Sequence, residues 1–316
     1  MPASGRLARN HDSSTIMGTN FDDTPLTRMR FCFDPTYRSR LLGLPQLLAR
    51  GGATESGAAG RLRGGRVEFH EHRAYVPGDD PRDLDWNLFL RLDQLAVKEY
   101  ARDEAPEVLV ILDRSASMGT PGSGKDRIVR EVAGGLIWTA LRKGAPASLL
   151  VLSSKGPVTL ARYQSHRMLD RVLAQLEDLE DPAGPTHLST LVRLGPSPAS
   201  GRLAFLLSDF LVDPLPSAGI LALATGDASG SLLQVMAEEE RHPRLPVSTT
   251  LSDPETGARL PVPDAPALLV DYAEELARHE ADVARLARTH TLRHVMVHDR
   301  VAFETGILAA LRAARP

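Results

Sequence analysis

Cysteine is almost missing from this chain. Cys32 stands alone among 316 residues, which excludes an internal disulfide and any zinc site built on several thiolates. Cys32 itself is expected to be a small apolar residue in a reducing compartment. Long hydrophobic runs are missing too. A bilayer span needs about 20 apolar residues, and the longest runs, Val108–Leu112 and Leu203–Leu207, suit buried strands instead. Residues 1–23 carry Arg6 and Arg9 with no apolar stretch behind them, so no secretory signal is read and the expected location is cytoplasmic. No charge of one sign dominates. Lys+Arg 37 against Asp+Glu 40 leaves −3, which argues against a general nucleic-acid surface or an anionic-membrane binder.

What remains is an ordinary globular composition, 42% hydrophobic and 24% charged. At roughly 100–200 residues per domain, the length fits one large domain or two modest ones. Residues 1–30 lack periodicity and read as a mobile tail. Residues 31–105 read as a helix plus a β-rich flanking element. Its helix covers 35–50, with Pro45 as a kink point, and 51–66 is a Gly- and Ala-rich linker. Val67, Phe69 and Glu71 alternate with Glu68, His70 and His72, the pattern of a strand. Leu95–Ala101 supplies another after the Pro77–Pro81 turn.

Residues 106–316 alternate strand and helix. Continuous apolar runs at Glu107–Leu112, Ala147–Leu152, Gly201–Leu207 and Leu232–Met236 read as strands buried on both faces, with Thr291–His298 as a further strand. Helical spacing covers Asp126–Arg142, Ser165–Glu180, Pro266–Thr289 and Ala302–Ala314. The proline-rich stretch 242–264, around the turn Asp253–Gly257, reads as an inserted hairpin or long loop. This order predicts an α/β fold, doubly wound, with a mostly parallel sheet and helices on both faces.

The motif that carries chemistry is Asp113-Arg114-Ser115-Ala116-Ser117, directly after the first buried strand. Ligands bind outside the carboxyl ends of strands in such sheets. One carboxylate and two hydroxyls on alternating loop positions can converge as a hard-oxygen site, which suits Mg²⁺ or Mn²⁺. Thr186, in the loop after the second helix, and Asp209, at the end of the next strand, add a hydroxyl and a carboxylate. Two close carboxylates repel unless a cation lies between them, so the set asks for a divalent ion.

The D-x-S-x-S loop with a later Thr and a later Asp resembles the metal-ion-dependent adhesion site of von Willebrand factor A domains. The resemblance is closer to one subfamily, the domain of unknown function 58. It is carried by Glu68-Phe69, Glu71, Arg73, Tyr75, Pro77–Asp80, Arg82, Asp85-Trp86, Arg91 and Lys98–Glu104, then by the D-x-S-x-S loop, Ser208–Phe210 and Asp253–Gly257. It covers roughly residues 65–300. The resemblance implies a Rossmann-like A domain in which Ser115, Ser117 and Thr186 ligate the ion directly. Asp113 and Asp209 would act mostly through water. The open coordination position would take an acidic residue from a partner. The family is commonly linked to a MoxR-type AAA+ ATPase, which implies that ATPase or its client as the partner, in protein assembly or maturation. The chain departs from the family at His187, where an Asp often follows the Thr.

Rival readings are blander. The acids of Pro77–Trp86 are expected in a turn, paired with Arg73, Arg82 and Arg91, with Trp86 anchored in the core. His290, His294 and His298 fall in strand-like sequence with no partner acid, and His70 and His72 on a solvated face. Gly119–Lys125 has the wrong spacing for a nucleotide-binding P-loop and is expected to be a flexible connection. Ser115 and Ser117 lack a nucleophile-elbow context. The expected function is therefore a metal-dependent interaction module. The alternatives are a metal-dependent hydrolase using the same site and a scaffold with a vestigial site.

Overall fold

The computed structural model describes residues 31–50, 67–77, 80, 84–102, 105–194, 201–224 and 229–312. The expected tail at 1–30 and linker at 51–66 lie outside the described residues. At the centre is a six-stranded sheet in the order β10-β7-β6-β3-β4-β5. Its strands are β3 (Glu107–Leu112), β4 (Ala147–Val151), β5 (Val158–Tyr163), β6 (Arg202–Ser208), β7 (Ser229–Met236) and β10 (Arg293–His298). Every pairing is parallel except β4 with β5. The protein is thus mixed α/β with a mostly parallel central sheet flanked by helices. Successive strand side chains face opposite ways, and β3 divides accordingly. Val108, Val110 and Leu112 enter one apolar cluster while Leu109 and Ile111 enter the other. A strand covered on both faces has no polar side, which is why these runs are continuous.

One face is covered by α1 (Tyr37–Arg50), α3 (Lys125–Arg142), α4 (Leu169–Glu177) and α8 (Phe303–Leu311). The other is covered by α5 (Ser217–Leu221), the 3-10 turn at Leu188–Arg193 and α7 (Ala265–Thr289), the short α6 (Glu238–Arg241) lying between α5 and α7 in the chain. Helix α3 lies at the centre of the first layer, touching α1, α4 and α8. Adjacent glycines make this close packing feasible. A Cβ at Gly134 would collide with the Tyr37 hydroxyl, and one at Gly135 with Ile307. Helix α1 was expected as an N-terminal helix ahead of the sheet domain. Its apolar side, Tyr37, Leu41, Leu44 and Leu48, joins the large core cluster, and the Tyr37 hydroxyl donates to Glu131 O at 2.5 Å.

The remaining strands stand apart from this sheet. β1 (Val67–Ala74) pairs antiparallel with β2 (Ala96–Arg102), and β8 (Thr249–Ser252) with β9 (Arg259–Val262), the hairpin expected in 242–264. Between β1 and β2 lies α2 (Trp86–Leu92), which the sequence reading did not anticipate. Asp85 is its N-cap, accepting from Asn87 N and Leu88 N. This overturns the expectation for Trp86. As the first residue of an exposed helix it is 56% exposed and packs edge-on against Phe89, not into the core. Asp85 also meets His72 Nε2 at 2.9 Å, so this acid has an imidazole partner beyond the arginines expected. Cys32 is a free, exposed thiol. β5 was likewise unforeseen: its alternating, half-exposed pattern closes the sheet edge after the Ser153–Gly156 turn. The expected helix over 165–180 shortens to Leu169–Glu177 after a 3-10 turn at His166–Met168.

Candidate metal centre

The chain leaves β3 through α3 toward β4 on one side, and returns through α4 to β6 on the other. The carboxyl ends of β3 and β6 therefore flank the crevice of a doubly wound sheet. Asp113 and Asp209 occupy those two ends, 1% and 3% exposed, and Asp113 N donates to Leu207 O at 3.0 Å. Asp113 folds its own loop back: Ser115 N donates to Asp113 Oδ1 at 3.0 Å. That turn places Ser115 Oγ 3.1 Å from Ser117 Oγ. Thr186 Oγ1 donates to Asp113 Oδ2 at 3.1 Å, and Ser208 Oγ to the same oxygen at 2.7 Å. Asp113, Ser115, Ser117 and Thr186 are thus gathered as the sequence reading anticipated. Ser208 joins them, having been noted only as part of a motif.

Two buried or half-buried arginines set the loop that delivers Thr186. The Arg130 guanidinium, fully buried, donates to Leu176 O at 2.5 Å and Leu179 O at 3.1 Å, and so caps the carbonyl end of α4. Arg114, inside the D-x-S-x-S motif, bonds Asp126 and Glu180 O. Backbone bonds then zip the two loops together: Ala183 N to Arg114 O at 2.9 Å, and Ala116 N to Gly184 O at 2.8 Å.

Asp209 is held differently. Phe210 has φ +58°, a left-handed conformation rare for a bulky residue, fixed by its buried ring and by Phe210 N donating to Ser208 Oγ at 3.0 Å. The Asp209 carboxylate receives Lys125 Nζ at 3.0 Å, and the same ammonium pairs with Glu240. Lys125 is fully buried. The Gly119–Lys125 segment is therefore no flexible connection. It opens α3 and drives a lysine under the site. Behind Asp209, Gln234 Nε2 donates to Asp209 O at 3.2 Å and presents its Oε1 to His294 Nε2 at 2.8 Å. That amide orientation makes Nε2 the protonated nitrogen of His294.

A fourth acid reaches in from the β8–β9 hairpin. Glu255 Oε1 accepts from Ser117 Oγ at 3.1 Å, and its Oε2 from Thr186 N at 3.1 Å. Lys125, Glu240 and Glu255 were all absent from the candidate set. The Asp253–Gly257 turn was legible, but nothing in its spacing says where it lands.

Burial, with the charge of Asp209 adding to it, raises the Asp113 carboxyl above its ordinary range, against the bonds from Ser208 and Ser115. Among the described residues Lys125 pairs with Asp209 and Glu240, whereas Asp113 and Glu255 are bonded by hydroxyls and backbone amides alone. The residues fit a hard divalent ion by donor chemistry: hydroxyl and carboxylate oxygens, no thiolate, no imidazole. Among the described residues no group of three His, Cys, Asp or Glu side chains is placed to hold a metal by itself, so any ion here would need the hydroxyls. A cleft of about 450 Å³ opens beside the site, lined by Asp113, Arg114, Ser115, Asp181 and His187.

The fold and site define a class: a doubly wound α/β protein with acids and hydroxyls gathered at its topological switch. Within it, the chain belongs to the family described as protein of unknown function DUF58, whose model matches residues 71–282. An uncharacterised protein of Mycobacterium tuberculosis is 30% identical over 72% of this chain and 74% of its own length, and one of Mycobacterium bovis matches to the same extent. Among solved structures, the conserved hypothetical protein BatB from Bacteroides thetaiotaomicron aligns with TM-score 0.38 and 14% identity, covering 64% of this chain and 95% of that one. No described helix is long and apolar enough to cross a membrane.

Proposed function

We propose that this protein is a metal-dependent protein–protein interaction module of the cytoplasm, built on a von Willebrand factor A-like sheet, and not an enzyme. Ser115, Ser117 and Thr186 hold Mg²⁺ or Mn²⁺ directly, with Asp113 and Asp209 acting through water. The ion supplies a fixed positive charge for a carboxylate on the partner. The partner is a MoxR-type AAA+ ATPase or its client, in protein assembly or maturation. The observation that carries this reading is the convergence of three separate chain segments on Asp113 Oδ2 and its neighbouring hydroxyls. The hydroxyls also speak against covalent catalysis. A serine nucleophile needs an oriented base. Ser115 and Ser117 touch each other and Ser117 also bonds Glu255, with no imidazole hydrogen-bonded to either among the described residues.

Thermal and denaturant unfolding test the site. At free Mg²⁺ about 100-fold above its Kd, wild type gains about 2.7 kcal/mol and Asp113→Ala gains nothing. An equal shift in both proteins overturns the site. Capture from the source's lysate with Mg²⁺ and with EDTA tests the partner. An AAA+ ATPase or its client retained only with Mg²⁺ is expected. Metal-dependent turnover of ester or phosphate substrates, lost in Asp113→Ala, would instead favour the hydrolase.

A further inference from the structure

We propose that Glu255 is the site's own carboxylate ligand. It fills, from within the chain, the position a partner's acid must take, so a partner binds by displacing the β8–β9 hairpin. The inference rests on the metal reading for what the carboxylate binds, and on geometry alone for where it docks.

Glu255 is 138 residues from Ser117 in sequence, yet its two oxygens span two of the three loops that build the site. The contact with Thr186 N is a charge-assisted bond to a backbone amide beside a proposed ligand hydroxyl. The turn is shaped for this delivery. Asp253 Oδ1 accepts Glu255 N at 2.9 Å, Asp253 Oδ2 accepts the Thr256 hydroxyl at 2.5 Å, and Gly257 takes φ +72° to close the loop onto Asp253 O. Asp253, Pro254, Thr256 and Gly257 are all exposed, whereas Glu255 is half-buried. One acid is thus pushed inward from a solvated hairpin.

The hairpin is built to let go. In its strands Val262 alone is buried. Its other flank walls an apolar groove of about 830 Å³ against α7, lined by Leu251, Pro254, Leu260, Leu268 and Tyr272. Few buried contacts mark a segment of low local stability. A partner that wins must therefore present an Asp or Glu on a protruding turn, the same chemistry as Glu255. Its apparent affinity is reduced by the fraction of molecules in which Glu255 is docked.

The test compares wild type with Glu255→Ala and Glu255→Gln. Hydrogen exchange at the Thr186 amide is read first, without metal. Losing the carboxylate acceptor should speed it about tenfold in the alanine variant. Glutamine, which keeps an acceptor, should stay near wild type. Unchanged exchange in the alanine variant overturns the docking. Mn²⁺ alone is then the probe. Water-proton relaxation by the bound ion should rise in Glu255→Ala, as water enters the vacated position. Mn²⁺ bound by both proteins with the same relaxation overturns the ligand role. If neither protein binds Mn²⁺ while Thr186 exchange is still faster in the alanine variant, the metal reading falls. Glu255 then stands as a hydrogen-bonded plug of the same cleft.

Discussion

Asp113 and Asp209 end neighbouring strands, are equally buried, and are stabilised in opposite ways. Asp113 is surrounded by neutral donors: two hydroxyls and one backbone amide. Asp209 has a full positive charge against it, the buried ammonium of Lys125. A carboxylate solvated by dipoles alone keeps its charge uncompensated, and burial raises its pKa. A carboxylate in a buried ion pair is already compensated, and breaking the pair strands a charge. The difference teaches that one strand end can hold its acid by dipoles alone, while its neighbour ties its acid to the fold through a charge.

The largest effect should come from breaking the anchored side. Lys125→Met removes the counter-charge of Asp209 and Glu240, and is expected to cost about 3–5 kcal/mol in urea unfolding. Adding Asp209→Asn should recover part of that loss, because the two changes share one contact. A Lys125→Met protein as stable as wild type would erase the contrast. On the dipolar side, Ser208→Ala removes one of several donors to Asp113 and the acceptor of Phe210 N. It should cost about 1–3 kcal/mol in the same assay. A loss larger than that of Lys125→Met would reverse the comparison.

The smallest effect concerns pH. Burial holds the imidazoles of His294 and His298 below the ordinary 6.5. As pH falls below that value, the unfolded chain takes up protons that the folded chain refuses, so stability declines toward acid. His294→Asn should flatten the decline of Tm between pH 7 and pH 5.5 only partly, since His298 contributes in the same direction. An unchanged slope would remove His294 from the account.

The parallel strands were legible because burial on both faces leaves no polar alternation to misread. The D-x-S-x-S loop was legible because its residues are neighbours in sequence. Thr186 and Asp209 were found from their places in the strand order. Lys125 was passed over for the opposite reason: a glycine-rich run ending in lysine looks solvated, and only the packing of α3 against the switch point buries it. Trp86 misled because a large aromatic ordinarily signals a core, whereas here it begins an exposed helix capped by Asp85.

By itself, the sequence determined the α/β class, most strand positions and the cluster of acid and hydroxyl groups, because these depend on local periodicity and on residues a few positions apart. Tertiary structure decided which charge each acid meets. Lys125 reaches Asp209 across 84 residues, and Glu255 reaches Ser117 across 138. Contacts of that range are fixed by how the loops at the sheet's carboxyl edge fold over one another, and no spacing along the chain encodes them.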